Sequence, residues 1–213
     1  MFKQDQHKGE GKMNIRLETT KDYKEVENLT REAFWNVYRP GCTEHLVLHN
    51  LRRERCFVKE LSYLIEVDSK IIAHIAYAQG SLELASGGKT PLLLFGPVSV
   101  LPQYQKKGYG SALIRFTLDK AKQLGYAAVV ITGSPDYYSR FGFVPASKHG
   151  IYYNGASEPS PFFMVKLLDE SAAESLKGIY SDPPCYYVDD AEVEKFDKNF
   201  EPKIKEKRPG QLE

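Results

Sequence analysis

The sequence predicts a mixed α/β sheet, antiparallel in its first half and closed by one parallel pair, with helices packed on it. Three observations lead there. Between residues 63 and 100, apolar segments are separated by the short turns Asp68-Ser69-Lys70 and Ser86-Gly87-Gly88-Lys89, as in an antiparallel meander. Residues 108–125 then show helical periodicity, and residues 127–132 form a short, wholly apolar run. Strand, helix and strand at this spacing make a crossover, which sets the two strands parallel.

Composition narrows the partners. The 213 residues are 42% hydrophobic and 27% charged, with 29 Lys and Arg against 28 Asp and Glu. A net charge of +1 lacks the basic excess that nucleic acid or an anionic membrane requires, so neither is expected as a partner. No apolar run approaches the roughly 20 residues of a membrane helix. The polar start lacks the apolar stretch of a signal peptide. Cys42, Cys56 and Cys185 form neither a CxxC pair nor a zinc spacing, which predicts reduced thiols, a cytoplasmic protein and no metal.

The elements follow in order. Residues 1–12 read as a flexible leader with almost nothing to bury. Residues 15–18 suggest a short strand. Thr19 and Asp22 have capping-box spacing before a helix whose apolar face is Val26, Leu29, Ala33, Phe34 and Val37, ended by Pro40 and Gly41. Leu46, Leu48 and Leu51 suggest a second helix. Strands are predicted over 63–67, 71–77 and 92–100; the second is apolar on both faces, as a central strand is. In the helix over 108–125, Leu113, Thr117, Ala121 and Leu124 share a face and Gly125 is the stop. A short helix over 135–141 and strands near Phe143 and over 163–168 complete the core. After Leu168 the pattern weakens, and residues 203–213 read as charged and loose.

The stretch from Val98 to Leu113 carries the chemistry. A buried strand ends at Pro102, and Gln105-Lys106-Lys107-Gly108-Tyr109-Gly110-Ser111 opens directly into a helix. Glycines let the backbone turn tightly and approach a ligand. The first helical N–H groups have no partner inside the helix and carry the positive end of its dipole, so they suit a phosphate or pyrophosphate. No Gly-Lys-Ser/Thr ends the loop, so it is not a Walker loop; Leu113 stands where a dinucleotide fingerprint needs glycine. A glycine-rich helix entry with no ligand has the same spacing.

Val100-x-Pro102-x-x-Gln105-x-x-Gly108-x-Gly110, followed by an amphipathic helix and an apolar strand, resembles the acetyl-coenzyme A motif of the GNAT superfamily of N-acetyltransferases. Pro135-Asp-Tyr-Tyr-Ser-Arg-Phe-Gly-Phe143 resembles the Tyr-x-x-x-Gly-Phe block that follows the next strand in that superfamily. With Phe95-Gly-Pro-Val-Ser-Val100, it is similar to one bacterial branch in particular. The resemblance covers residues 13–168 and leaves 169–213 as a partly ordered extension. It implies the GNAT fold, a mostly antiparallel mixed sheet whose parallel central strands splay apart near Leu101 and Pro102. It implies acetyl-coenzyme A as donor, with its pyrophosphate on the amides of Gln105, Lys106, Lys107, Gly108, Tyr109, Gly110 and Ser111. The pantetheine arm would lie along the main chain of Val98 and Val100. A small-molecule or peptide amine would attack the thioester directly, and Tyr138 would protonate the departing thiolate; the alternative for Tyr138 is a packing role.

Two departures matter. Residues 92–100 contain no acid or base, so the general base is unassigned, with Glu66 and His74 as candidates on neighbouring strands and a structural role the plainer reading of each. The superfamily's common Asn after the next strand is replaced by Gly133-Ser134-Pro135. A non-catalytic acyl-coenzyme A sensor or interaction module is the rival class, and a different acyl donor a third reading. Tyr180, Cys185, Tyr186 and Tyr187 in the extension supply apolar surface for packing on the core or on a second copy, so a homodimer is among the expectations.

Overall fold

A computed structural model describes residues 13–154 and 159–211; the expected leader lies outside them. The first elements are β1 (Met13–Leu17), α1 (Tyr23–Phe34), α2 (Glu44–Leu51), β2 (Tyr63–Val67), β3 (Lys70–Leu84) and β4 (Lys89–Val100). They are followed by α3 (Tyr109–Gln123), β5 (Ala128–Thr132), α4 (Pro135–Tyr138), β6 (Val144–Pro145) and β7 (Ile151–Tyr153). The chain ends with β8 (Phe163–Leu167), β9 (Gly178–Ser181) and α5 (Asp190–Asp197). The sheet runs β1-β2-β3-β4-β5-β8-β6, with β9 paired to β3 and β7 to β9. The meander β1 to β4 is antiparallel throughout, and β4 and β5 are parallel, as the crossover through α3 predicts.

Helices cover both faces. On one, the Tyr77 hydroxyl of β3 meets Thr117 Oγ1 of α3 at 2.9 Å, both residues fully buried. On the other, Ser99 Oγ of β4 donates to Thr30 Oγ1 of α1 at 3.0 Å, above the buried Val26 and Leu29. A buried hydroxyl left unpaired costs about 1–3 kcal/mol, so these pairs fix each helix at one place on the sheet.

Several elements depart from the sequence expectation. Helix α1 stops at Phe34 rather than Pro40. Asn36 takes φ +59° and its Oδ1 accepts the Gly41 N–H at 2.8 Å, folding the chain back and leaving Val37 47% exposed. At its start, Asp22 accepts both the N–H and the hydroxyl of Thr19 at 2.8 Å, so only the carboxylate arm of the capping box forms. Leu124 lies beyond the end of α3 and is 51% exposed, not on the apolar face. Strand β3 is 15 residues long because its far end, 81–84, has β9 as a neighbour as well as β4.

That neighbour comes from beyond Leu168. Residues 178–181 supply a strand and 190–197 a helix from the region of weak pattern. Residues 203–211 have neither, but Trp35 Nε1 donates to the Ile204 carbonyl at 2.9 Å and Lys203 pairs with Glu32 at 2.8 Å. Among the described residues no helix is long and apolar enough to cross a membrane.

Candidate functional site

Strands β4 and β5 are registered at Leu93↔Val129 and Leu94↔Val130, and no further. Beyond that point β5 stays paired with β8 up to Thr132, while β4 stays with β3 up to Val100. The two parallel strands therefore separate along 95–100, and the edge of β4 facing β5 is unpaired there.

A bulge aims this edge. Ile75 opposes Val98 and Tyr77 opposes Phe95, so β4 carries one residue more than β3 across Gly96-Pro97. Proline has no N–H to lose and glycine no side chain to bury, which makes this pair cheap at a bulge. Past the bulge, the Leu101 N–H donates to the Ile72 carbonyl at 2.9 Å. Antiparallel pairing alternates, so Ser99 and Leu101 turn their backbone groups to β3, and Val98 and Val100 turn theirs to the gap. The Val100 carbonyl already accepts Gln105 Nε2 at 3.1 Å.

The loop from Gln105 closes onto the same gap. Lys106 and Gly108 take φ of +60° and +92°, and Gln105, Lys106, Lys107 and Gly108 are exposed. A Cβ on Gly108 would meet no atom of the described residues within 4 Å, so they leave the loop open on that side. Among the described residues no side chain caps the start of α3, leaving the N–H groups of Tyr109, Gly110 and Ser111 without a capping partner there. A Cβ on Gly110 would lie 3.4 Å from Val100, 3.6 Å from the Tyr137 hydroxyl and 3.8 Å from Val98. Val98, Val100, Gly110 and Tyr137 thus converge at the mouth of the gap.

Tyr138 ends α4, just past the end of β5. Its ring stands against Phe95 at 6.0 Å, Phe143 at 6.0 Å and Tyr137 at 4.9 Å. Burial, with the Tyr137 and Tyr38 phenols nearby, pushes its pKa well above the ordinary tyrosine value, so the hydroxyl stays protonated. The departure at Gly133 has a steric reason. A Cβ there would fall 2.4 Å from Tyr138 Cε2, so an asparagine would displace the ring.

The two candidate bases lie elsewhere. Glu66 is on β2, held by Arg16 at 2.7 Å. His74 is fully buried on β3, with Nε2 3.2 Å from both Ser62 Oγ and Glu18 Oε1. Glu18 also pairs with Arg52, whose guanidinium reaches Glu27 at 2.9 Å. Burial pulls the Glu18 carboxyl upward, but His74 and Arg52 outweigh it and hold the pKa at about 2. This network faces α1 and α2 and welds them to the paired edge of the sheet. Among the described residues no group of three or more His, Cys, Asp or Glu is placed to hold a metal ion.

The alternation of residues 98–101 was open to sequence reasoning, and Gly96-Pro97 inside a strand is a bulge signal in its own right. Tyr137 carried no signal that set it apart from the other tyrosines; its approach to Gly110 depends on how α4 packs.

Residues 14–146 match the model of the acetyltransferase (GNAT) domain family. The N-acetyltransferase YhbS of Escherichia coli K12 is 27% identical over 159 residues, covering 75% of this chain and 90% of its own length. The crystal structure of YhbS in complex with CoA superposes with a TM-score of 0.73 at 24% identity, covering 86% of this chain and 96% of that one. A GNAT family acetyltransferase of Brucella melitensis, crystallised with acetyl-CoA, gives a TM-score of 0.66 at 26% identity, covering 83% and 99%.

Proposed function

Because the chain belongs to the GNAT acetyltransferase family, we propose that it transfers the acetyl group of acetyl-coenzyme A to a primary amine of a small molecule or peptide by direct attack. The observation that carries this reading is the unpaired edge of β4 running into the uncapped start of α3. A strand edge, then a ring of free N–H groups, matches a ligand that is an amide chain at one end and a pyrophosphate at the other. The YhbS and Brucella structures hold CoA and acetyl-CoA respectively, which supports the same ligand here.

On this reading the N–H groups from Gln105 to Ser111 hold the pyrophosphate, with Lys106 and Lys107 adding charge at the rim. Val98 and Val100 pair with the pantetheine amides; the Gln105 amide occupies the Val100 carbonyl until the arm arrives or shares it afterwards. A strand N–H in the stretch from Val98 to Val100 donates to the tetrahedral oxyanion. Tyr138 gives its proton to the departing thiolate. A free thiol has a pKa of about 8.5, so transfer from a phenol with a raised pKa is uphill, and the acid's contribution falls at the low end of the usual range. The gap holds no assigned base, so the amine enters neutral or loses its proton to solvent.

Release of free thiol from acetyl-coenzyme A, followed across a panel of primary amines, tests the activity. Amine-dependent release with an acetylated product supports it; tight coenzyme A binding without release on any amine contradicts it.

A further inference from the structure

No spacing pairs the three cysteines in the sequence, but the fold brings two of them together. On the edge of β3 away from β4, β2 is registered as far as Ile75, Phe57 then pairs with Ala78, and β9 takes residues 81–84. The Cys56 carbonyl accepts the Gln79 N–H at 2.8 Å, which holds Cys56 at the seam between the core and the extension. Cys185 sits in the turn that follows β9, where the Tyr186 N–H donates to the Pro183 carbonyl at 3.0 Å. The two sulfurs are 4.0 Å apart.

A disulfide needs about 2 Å, which side-chain rotation can supply from sulfurs already in contact. Both cysteines are half-buried, so a small reagent can reach them from solvent. Cys42 is the contrast: it is buried, and its Sγ stands 3.4 Å from His45 Nδ1 with no second thiol beside it. Next to Cys185, Tyr186 packs on Gly96 so closely that a Cβ there would have no room. Gly96 belongs to the bulge at which β4 leaves β5. A bond at Cys185 thus anchors the turn that rests on the strand bordering the gap.

We propose that Cys56 and Cys185 form a modification site, a dithiol that a low-molecular-weight organic disulfide oxidises to an intramolecular disulfide, fastening the extension to the core. The site does not depend on the acetyltransfer reading. The Cys56 thiolate attacks one sulfur of the reagent, whose S–S bond breaks and releases one thiolate. Cys185 gives up its proton, attacks the Cys56 sulfur of the mixed disulfide and expels the second thiolate. The two cysteines are oxidised, and the two halves of the reagent leave as thiols with the two protons. Burial raises the pKa of both cysteines; the Cys185 S–H partly offsets this at Cys56, whereas Cys56 adds to it and pushes Cys185 up to about 12. Cys56 is therefore the first nucleophile, and closure is faster at pH 8 than at pH 7 because the thiolate is the attacking form. The bond joins positions 129 apart, and a cross-link over so long a loop restricts the unfolded chain far more than the folded one.

The test incubates the full-length protein at pH 8 with excess glutathione disulfide, maps its peptides without reduction, and compares melting temperatures before and after. The expected product is a Cys56–Cys185 cross-link with Cys42 still free, and a melting temperature raised by about 5 °C. Dithiothreitol reverses both changes, and Cys185→Ser shows neither. No reaction, a different pairing, glutathione left on either cysteine as a stable mixed disulfide, or a cross-linked protein that melts no higher than the reduced one overturns the proposal. Should the variant not fold, the wild type decides alone, since the cross-link and the melting temperature are both read on it.

Discussion

Toward β3, strand β4 is registered from Lys89 to Val100; toward β5, at Leu93 and Leu94. The same residues thus have one edge saturated and one free. The paired edge is backed by the Glu18–Arg52–His74 network and by Ser99 on Thr30, where every change meets close-packed neighbours. The free edge is backed by glycines, exposed loop residues and phenols. On the proposed reading, stability is concentrated on the first edge and ligand chemistry on the second, so substitutions on the two sides should separate into different measurements.

The largest effect is expected on the paired side. Glu18→Gln leaves Arg52 and His74 without the buried carboxylate between them. Breaking a buried pair costs roughly 3–5 kcal/mol, and Glu27 still serves Arg52, so the loss is about 3 kcal/mol. Because the folded pKa of Glu18 is depressed to about 2, its stabilisation is complete above the ordinary value of 4.5 and is lost as pH falls from there toward 2. Urea melts at pH 7 and pH 3 should therefore show a smaller gap between wild type and variant at the lower pH. Coenzyme A affinity of the folded variant should not change.

On the free side, Gly110→Phe pushes a ring into the point where Val98, Val100 and Tyr137 converge. Coenzyme A binding, followed by calorimetry, should weaken about 100-fold, or ~2.7 kcal/mol. The melting temperature of the protein alone should move less than coenzyme A affinity, since the nearest neighbours of a Cβ at Gly110 are side-chain atoms at 3.4 Å or more. Smaller again is Tyr138→Phe, which keeps the ring on Phe95 and Phe143 and deletes the hydroxyl. Turnover should fall about 100-fold with coenzyme A affinity unchanged. Smallest is Gln105→Ala, which removes one amide bond to the Val100 carbonyl. About 1 kcal/mol is at stake, a change in coenzyme A affinity of less than tenfold.

The paired edge was largely legible in the sequence, because turns and two-faced apolar strands follow local rules. So was the entry to α3, where Gly108 and Gly110 mark a backbone that must turn. What escaped depends on distant chain. Helix α1 ends early because Asn36 bonds both Gly41 and the Ile204 carbonyl, and nothing near Asn36 announces that partner. Strand β9 has four residues and no alternation strong enough to stand out; its neighbour β3 makes it a strand. Cys56 and Cys185, 129 positions apart, come within 4.0 Å for the same reason. Tyr138 was singled out by its block, whereas Tyr186 acquires meaning from the bulge it packs on.

The central claim is that the free edge of β4 receives the ligand as a strand would. Amide hydrogen exchange at residues 98–101, read by NMR with and without saturating coenzyme A, tests it most directly. The account predicts that the Val98 and Val100 amides, which face the gap, slow on binding, while Ser99 and Leu101, already bonded to β3, do not change. Unaltered exchange at both Val98 and Val100 in the saturated protein would contradict it.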